Sequence, residues 1–260
     1  MNMPLGCLAS FPSLAIEDRR KPLWSARSLG RAAAWLGLLL GGWFACSSSA
    51  QADSTNFAVN WTIPDGDTSG FLDIREITLP VHTLADIKVT LDIAPVLDGG
   101  FNGDLYVTLT HGDAFVVLLN RPGREAANSF GYDDGGFTVT FSATATNDIH
   151  SYRQVLNGDA TQSVPGGPTG EWQPDGRLVD PDTVLDTSPR TTSLASFVDL
   201  DPNGEWVLFV ADVSPGGVSR LVSWSLEVIQ MPEPGPMTFM AMIALLLATF
   251  LKVRHRGQSS

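Results

Sequence analysis

Apolar residues recur at every second position in this chain, and that spacing constrains its fold more than any other feature. Phe57, Val59, Trp61 and Ile63 lie two apart, as do Ile87, Val89, Leu91 and Ile93, then Leu105, Val107 and Leu109. Phe137, Val139 and Phe141 repeat the pattern, followed by Trp206, Leu208 and Val210, and by Trp224, Leu226 and Val228. A period of two sends alternate side chains to opposite faces of an extended strand. One face thus meets a core, and the other, with Lys88, Thr90, Tyr106 and Thr108, meets solvent. Between Leu72-Ile74 and Ile77-Leu79 the phase slips by one, which predicts a bulge or corner there.

Turn residues separate the runs: Asp98-Gly99-Gly100, Asn102-Gly103, Pro122-Gly123, Asp134-Gly135-Gly136, Asn203-Gly204 and Pro215-Gly216-Gly217. Glycine accepts positive φ and proline presets φ, so these clusters reverse the chain at low cost. About eight strands, short turns and no long helical stripe predict an all-β domain built as a two-sheet sandwich or jelly roll. The stretch from Asn157 to Ser193, rich in Pro, Gly, Asp and Thr, reads as a long surface loop.

The two ends read differently. Residues Ala32 to Ala45 are apolar, with Arg19, Arg20, Lys21, Arg27 and Arg31 upstream and Ala50-Gln51-Ala52 downstream. A basic start, a short apolar centre and a small-residue exit predict a secretory signal helix over 1–52, with cleavage before Asp53. Met237 to Leu251 form a second apolar run, followed by Lys252, Arg254 and Arg256. Fifteen helical residues reach about 22 Å, a short transmembrane helix with its basic end on the cytoplasmic side. The chain thus divides into a signal peptide (1–52), a β domain (53–230) and a membrane tail (231–260). Both cysteines, Cys7 and Cys46, lie in the leader, so the exported segment has no disulfide to stabilise it. From Asp53 to Gln230 there are 8 Lys and Arg against 25 Asp and Glu, a net charge of −17. So acidic a surface repels phosphate backbones and excludes nucleic acid as a partner.

Three blocks of the middle segment resemble the P/Homo B domain, the β-sandwich that follows the catalytic domain in kexin- and furin-type subtilisin proteases. Trp61 to Asp67 (WTIPDGD) resembles its opening strand and turn, and Phe101 to Gly123 (FNGDLYVTLTHGDAFVVLLNRPG) its hairpin. Asn203 to Val228 (NGEWVLFVADVSPGGVSRLVSWSLEV) resembles its closing pair. The blocks fall in family order and the likeness covers Phe57 to Ile229. It implies a galactose-binding-like jelly roll, with Trp206, Trp224, Gly103 and Gly204 as structural positions. The family's frequent I-x-H is here Ile93-Ala94-Pro95, which removes any role tied to that imidazole. The tail, with Pro232-Glu233-Pro234 before the apolar run and Arg254 and Arg256 after it, resembles the PEP-CTERM sorting signal. That resemblance implies inner-membrane anchoring, processing by an exosortase-type enzyme, and then display at the cell surface or in the extracellular matrix.

No G-x-S-x-G elbow, H-E-x-x-H pair or phosphate loop is present. A serine hydrolase needs a nucleophile, an imidazole and a carboxylate together, and only His82, His111 and His150 fall within the β domain. The resemblance fills that domain and leaves no room for a subtilisin catalytic domain, so no catalytic residue is assigned. The expectation is a non-catalytic module that binds or stabilises a partner. Its partners would be a secreted subtilisin-like protease, in whose proteolysis the module would take part in trans, or a matrix polysaccharide, as a glycan-binding adhesin. Ca²⁺ is the expected cofactor, since hard oxygens suit it. One candidate site joins Asp133 and Asp134 with Asp104 and Asp212. The other is the D-x-D-x-N-G loop carrying Asp199, Asp201 and Asn203; Val210 stands where an EF-hand would place its distal Glu.

Overall fold

The computed structural model describes residues 52–80, 82–97, 99–231 and 243–247. Two compact units divide the chain, Ser48–Pro234 and a second made of both ends. In the second, residues 243–247 are helical. No helix among the described residues is long and apolar enough to cross a membrane. The signal segment, Pro232, Glu233, Pro234, Arg254, Arg256 and most of the apolar tail lie outside the described residues.

The first unit is a sandwich of two sheets. Its elements are β1 (Ala52–Thr62), β2 (Asp67–Ile77), β3 (Leu84–Pro95), β4 (Leu105–His111), β5 (Ala114–Asn120), β6 (Phe137–Ser142), α1 (Tyr152–Asn157), β7 (Thr169–Trp172), β8 (Gly204–Asp212) and β9 (Ser219–Gln230). One sheet runs β1-β9-β3-β6-β7 and the other β2-β8-β4-β5. All neighbours are antiparallel except β6 and β7, which pair in parallel. A single core lies between the sheets, with Ile87, Val89, Leu91 and Ile93 facing Leu105, Val107, Leu109, Trp206, Leu208 and Val210. Fully burying one such side chain contributes roughly 1.5–3 kcal/mol, so this layer dominates stability.

Two strands depart from the simple alternation. In β1 the register shifts between Ala58 and Trp61, where Asn60 adopts φ 53°. Phe57 and Val59 therefore pack inward while Trp61 is turned to solvent, 60% exposed. In β2 the expected slip between Leu72-Ile74 and Ile77 does not occur. The strand runs unbroken, and its irregularity lies earlier, between Asp67 and Phe71. Phe71, Asp73, Arg75 and Ile77 point inward, whereas Leu72 and Ile74 are exposed. The inner polar pair is stable because Arg75 donates to Asp73 at 2.8 Å, and the same carboxylate oxygen accepts the Trp224 indole N–H at 2.6 Å.

The stretch from Asn157 to Ser193 is not uniformly loop. It follows directly on α1 and contains β7, a four-residue strand too short to show a period. Beyond β7 the chain lies along the free edge of β5: the Asp175 and Gly176 amides donate to the Leu118 and Val117 carbonyls at 3.0 and 2.9 Å. Asn120 Nδ2 then donates to the carbonyls of Arg177 and Val179. An open sheet edge that would otherwise template aggregation is thereby covered.

Candidate functional site

The densest cluster of buried polar groups sits at one end of the sandwich, where β4 starts and β8 finishes. A tight turn over Asn102–Asp104 is buried at all three residues. Gly103 is required there, since a Cβ would lie 2.5 Å from the Phe130 carbonyl oxygen. The turn is fastened by amide donation from Asn102 to Asp134 O and from Gly103 to Tyr132 O, both at 2.8 Å. Asn102 Nδ2 also donates to Gly136 O and to the Tyr152 hydroxyl.

Pairing of β4 with β8 sets Leu105 opposite Asp212, and so brings Asp104 beside Asp212. Both carboxyls are buried, at 4% and 0% exposure. Burial pushes Asp104 up to about 6, opposed by the Arg121 guanidinium, which stands 3.6 Å away. Burial likewise pushes Asp212 up to about 7, with the neighbouring Asp104 and Asp65 charges adding to the effect. Asp212 Oδ1 accepts from the Ser214 amide at 3.3 Å, whereas its Oδ2 is buried without a hydrogen-bond partner. Two adjacent buried carboxyls favour the protonated form of at least one of them, opposed by the Ser214 hydroxyl on Asp104 and by the Ser214 and Gly66 amides on Asp212.

Asp133 and Asp134 are not joined to that pair. Arg153, on α1, takes both: its Nε donates to Asp134 Oδ2 at 2.6 Å, and a terminal nitrogen pairs with Asp133. The Tyr152 hydroxyl donates to Asp134 Oδ2 at 2.7 Å, and the Val164 amide to its Oδ1 at 2.8 Å. The hydrogen bond from Arg153 holds Asp133 below the usual carboxylate range. Arg153 also lies over the Tyr132 ring, 4.6 Å from its centroid.

The D-x-D-x-N-G loop is likewise satisfied from within. Asp199 adopts φ 68° and its amide donates to Leu84 O. Asp201 Oδ1 accepts from the Asn203 amide and from Asn203 Nδ2, while Asn203 Oδ1 accepts from the Leu79 amide at 2.6 Å. Gly204, at φ 108°, begins β8. Trp206 is buried against His111, the two rings stacked nearly parallel with 4.2 Å between centroids, and it donates its indole N–H to Pro202 O. The His111 ring nitrogens lie 2.8 and 2.7 Å from the carbonyl oxygens of Glu205 and Asp201.

Among the described residues no three His, Cys, Asp or Glu side chains gather to hold a metal ion. Arg153 clamps one acidic pair, Arg121 flanks the other, and Asp201 and Asn203 accept internal donors. Of the residues named for Ca²⁺, Asp133, Asp134, Asp201 and Asn203 are engaged by internal partners, whereas Asp104 and Asp212 lie together with Asp212 Oδ2 lacking a donor.

A second network, unseen in the sequence, ties the segment after β7 to the body. His150 Nδ1 lies 2.7 Å from Asp175 Oδ2 and Nε2 lies 3.0 Å from Arg124 O. Arg177 bridges Asp148 at 2.7 Å and Asp175 at 3.2 Å. Burial works against charge on His150, but the hydrogen bond and charge of Asp175 outweigh it and raise its pKa. With both nitrogens against acceptors, neither His150 nor His111 is positioned to take a proton from a nucleophile. The only signal for these partners is arithmetic: eight basic residues among 25 acidic ones will be drawn into ion pairs.

No protein-family model matches the chain, and no curated protein matches it. Among solved structures it is similar to a serine protease of Aeromonas sobria. The protease in complex with a chaperone aligns at 15% identity and a TM-score of 0.38, over 70% of this chain and 27% of that one. The protease by itself aligns at 15% identity and 0.37, over 75% and 29%. The chain spans less than a third of these neighbours' length, and likenesses this distant carry no argument about function.

Proposed function

We propose that this chain is an exported, membrane-tethered and non-catalytic β-sandwich of P/Homo B type that binds or stabilises a partner at the cell envelope. The finer assignment, a galactose-binding-like jelly roll, rests on the three sequence blocks and on the two-sheet core that they share. The observation that carries the functional reading is the use made of the buried ionisable groups. His150, Arg153 and Arg177 each fasten a loop or a short helix to the sandwich. Such groups build a rigid surface, and among the described residues His150 and His111 have both ring nitrogens against acceptors, which suits an accessory module. The partner proposed is a subtilisin-like serine protease acted on in trans. Export and anchoring rest on the leader and on the Pro232-Glu233-Pro234 tail, with an exosortase-type enzyme as its processor.

The test is affinity capture with the tagged full chain from native envelope extract. Specific recovery of a subtilisin-like protease, with its activity or heat stability increased by the added chain, is the expected result. Recovery of polysaccharide or surface proteins with no protease would replace this reading with that of a matrix adhesin.

A further inference from the structure

Beside the Asp104 turn lies a cavity of about 170 Å³ lined by Phe101, Asp104, Phe130, Tyr132, Asp133 and Pro215, among others. Its size decides between ligand classes: pockets for whole small molecules run to roughly 300–1,000 Å³, so this one suits a single side chain. Its lining decides the chemistry. Aromatic rings and carboxylates are the two groups that attract a desolvated cation; of those lining the cavity, Phe101, Phe130 and Asp104 are not engaged by Arg153, which holds Tyr132 and Asp133. Phe130, 74% exposed on the loop ahead of Gly131, presents the rim for contact, while Tyr132 and Asp104 form a buried floor. The molecule already uses this chemistry nearby, where Arg153 stacks on Tyr132 and pairs with Asp133. Asp104 faces Arg121 at 3.6 Å, beyond a close hydrogen bond, and its hydrogen-bond partner is the hydroxyl of Ser214, which also lines the cavity.

We propose that this cavity receives an arginine side chain from a protein partner. A flat guanidinium can lie against an aromatic face while donating to a carboxylate, which an ammonium does less well. The net charge of −17 across the exported segment would steer a basic partner toward it. The identity of the partner rests on the accessory-module reading above; the pocket's preference for arginine does not.

The test uses the purified full chain and N-acetyl-arginine amide, followed by NMR shifts of the chain. Saturable binding near the millimolar range is expected, at least about tenfold tighter than for the uncharged citrulline amide, and weakening with salt. Phe130 is exposed and without an ion-pair role, so Phe130→Ala should keep the melting temperature; Phe130→Ala and Asp133→Asn should each weaken binding by about threefold to tenfold, with Asp133→Asn also loosening its pair with Arg153. Asp104→Asn should weaken it further. Equal binding of the citrulline amide, or arginine binding untouched by Phe130→Ala and Asp133→Asn, would overturn the proposal. A protease captured from extract equally well by Phe130→Ala would remove the pocket as the docking point and leave the accessory role standing.

Discussion

Asp212 is the residue at which burial and charge are most at odds. A carboxyl whose native pKa is raised from 3.8 to about 7 favours folding when protonated. Its contribution is complete below the unfolded value and is lost as pH rises through the native one. Asp104, raised to about 6, and His150, also raised, carry the same sign. The chain is therefore expected to melt higher at pH 5 than at pH 8. Asp212→Asn should stabilise at pH 8 by about 1–3 kcal/mol, or roughly 2–12 °C, and flatten that difference. Melts of both proteins at the two pH values check this, and an unchanged slope in the variant would refute the assignment. Gly103 supplies the opposite kind of test. Gly103→Ala must push a methyl against the Phe130 carbonyl, and it should cost about 2 kcal/mol or more, read from denaturant midpoints.

Among the elements, the 173–193 segment has little apolar surface of its own and is held by charge. Its anchor is Arg177, between Asp148 and Asp175, with Asp175 fully buried. Removing one partner of a buried ion pair leaves an uncompensated charge, at a cost of about 3–5 kcal/mol. Arg177→Ala should first loosen this segment from the β5 edge. Limited proteolysis should then cut within 173–193 while amides of β3, β8 and β9 stay protected from exchange; uniform loss of protection would show that the segment is part of the main cooperative unit. The element scale also shows what periodicity reads well. Strands β3, β8 and β9 were legible because each carries three or four alternating apolar side chains. Strand β2 misled because Asp73 and Arg75 occupy inner positions and Leu72 and Ile74 outer ones. Strand β7 was illegible, since four residues set no period and its parallel partner is more than 25 positions upstream.

For the whole molecule, an acidic surface, a disulfide-free core and the adjacent buried carboxyls of Asp104 and Asp212 point to stabilisation by calcium. Millimolar calcium should raise the melting temperature relative to excess chelator, because an ion that binds only the folded state stabilises it. An unchanged melt would remove calcium as a cofactor. The sequence alone determined the class of the domain, two β-sheets about one core, because side-chain alternation and turn chemistry are local and repeat in the chain. It also determined the acidity, and with it which partners electrostatics exclude. Only the tertiary structure decided which charges meet. Asp104 lies beside Asp212, Arg153 holds Asp133 and Asp134, and His150 reaches Asp175, each through strand register and loop path. Coulomb energy and desolvation depend on distance and burial in space, and spacing along the chain specifies neither.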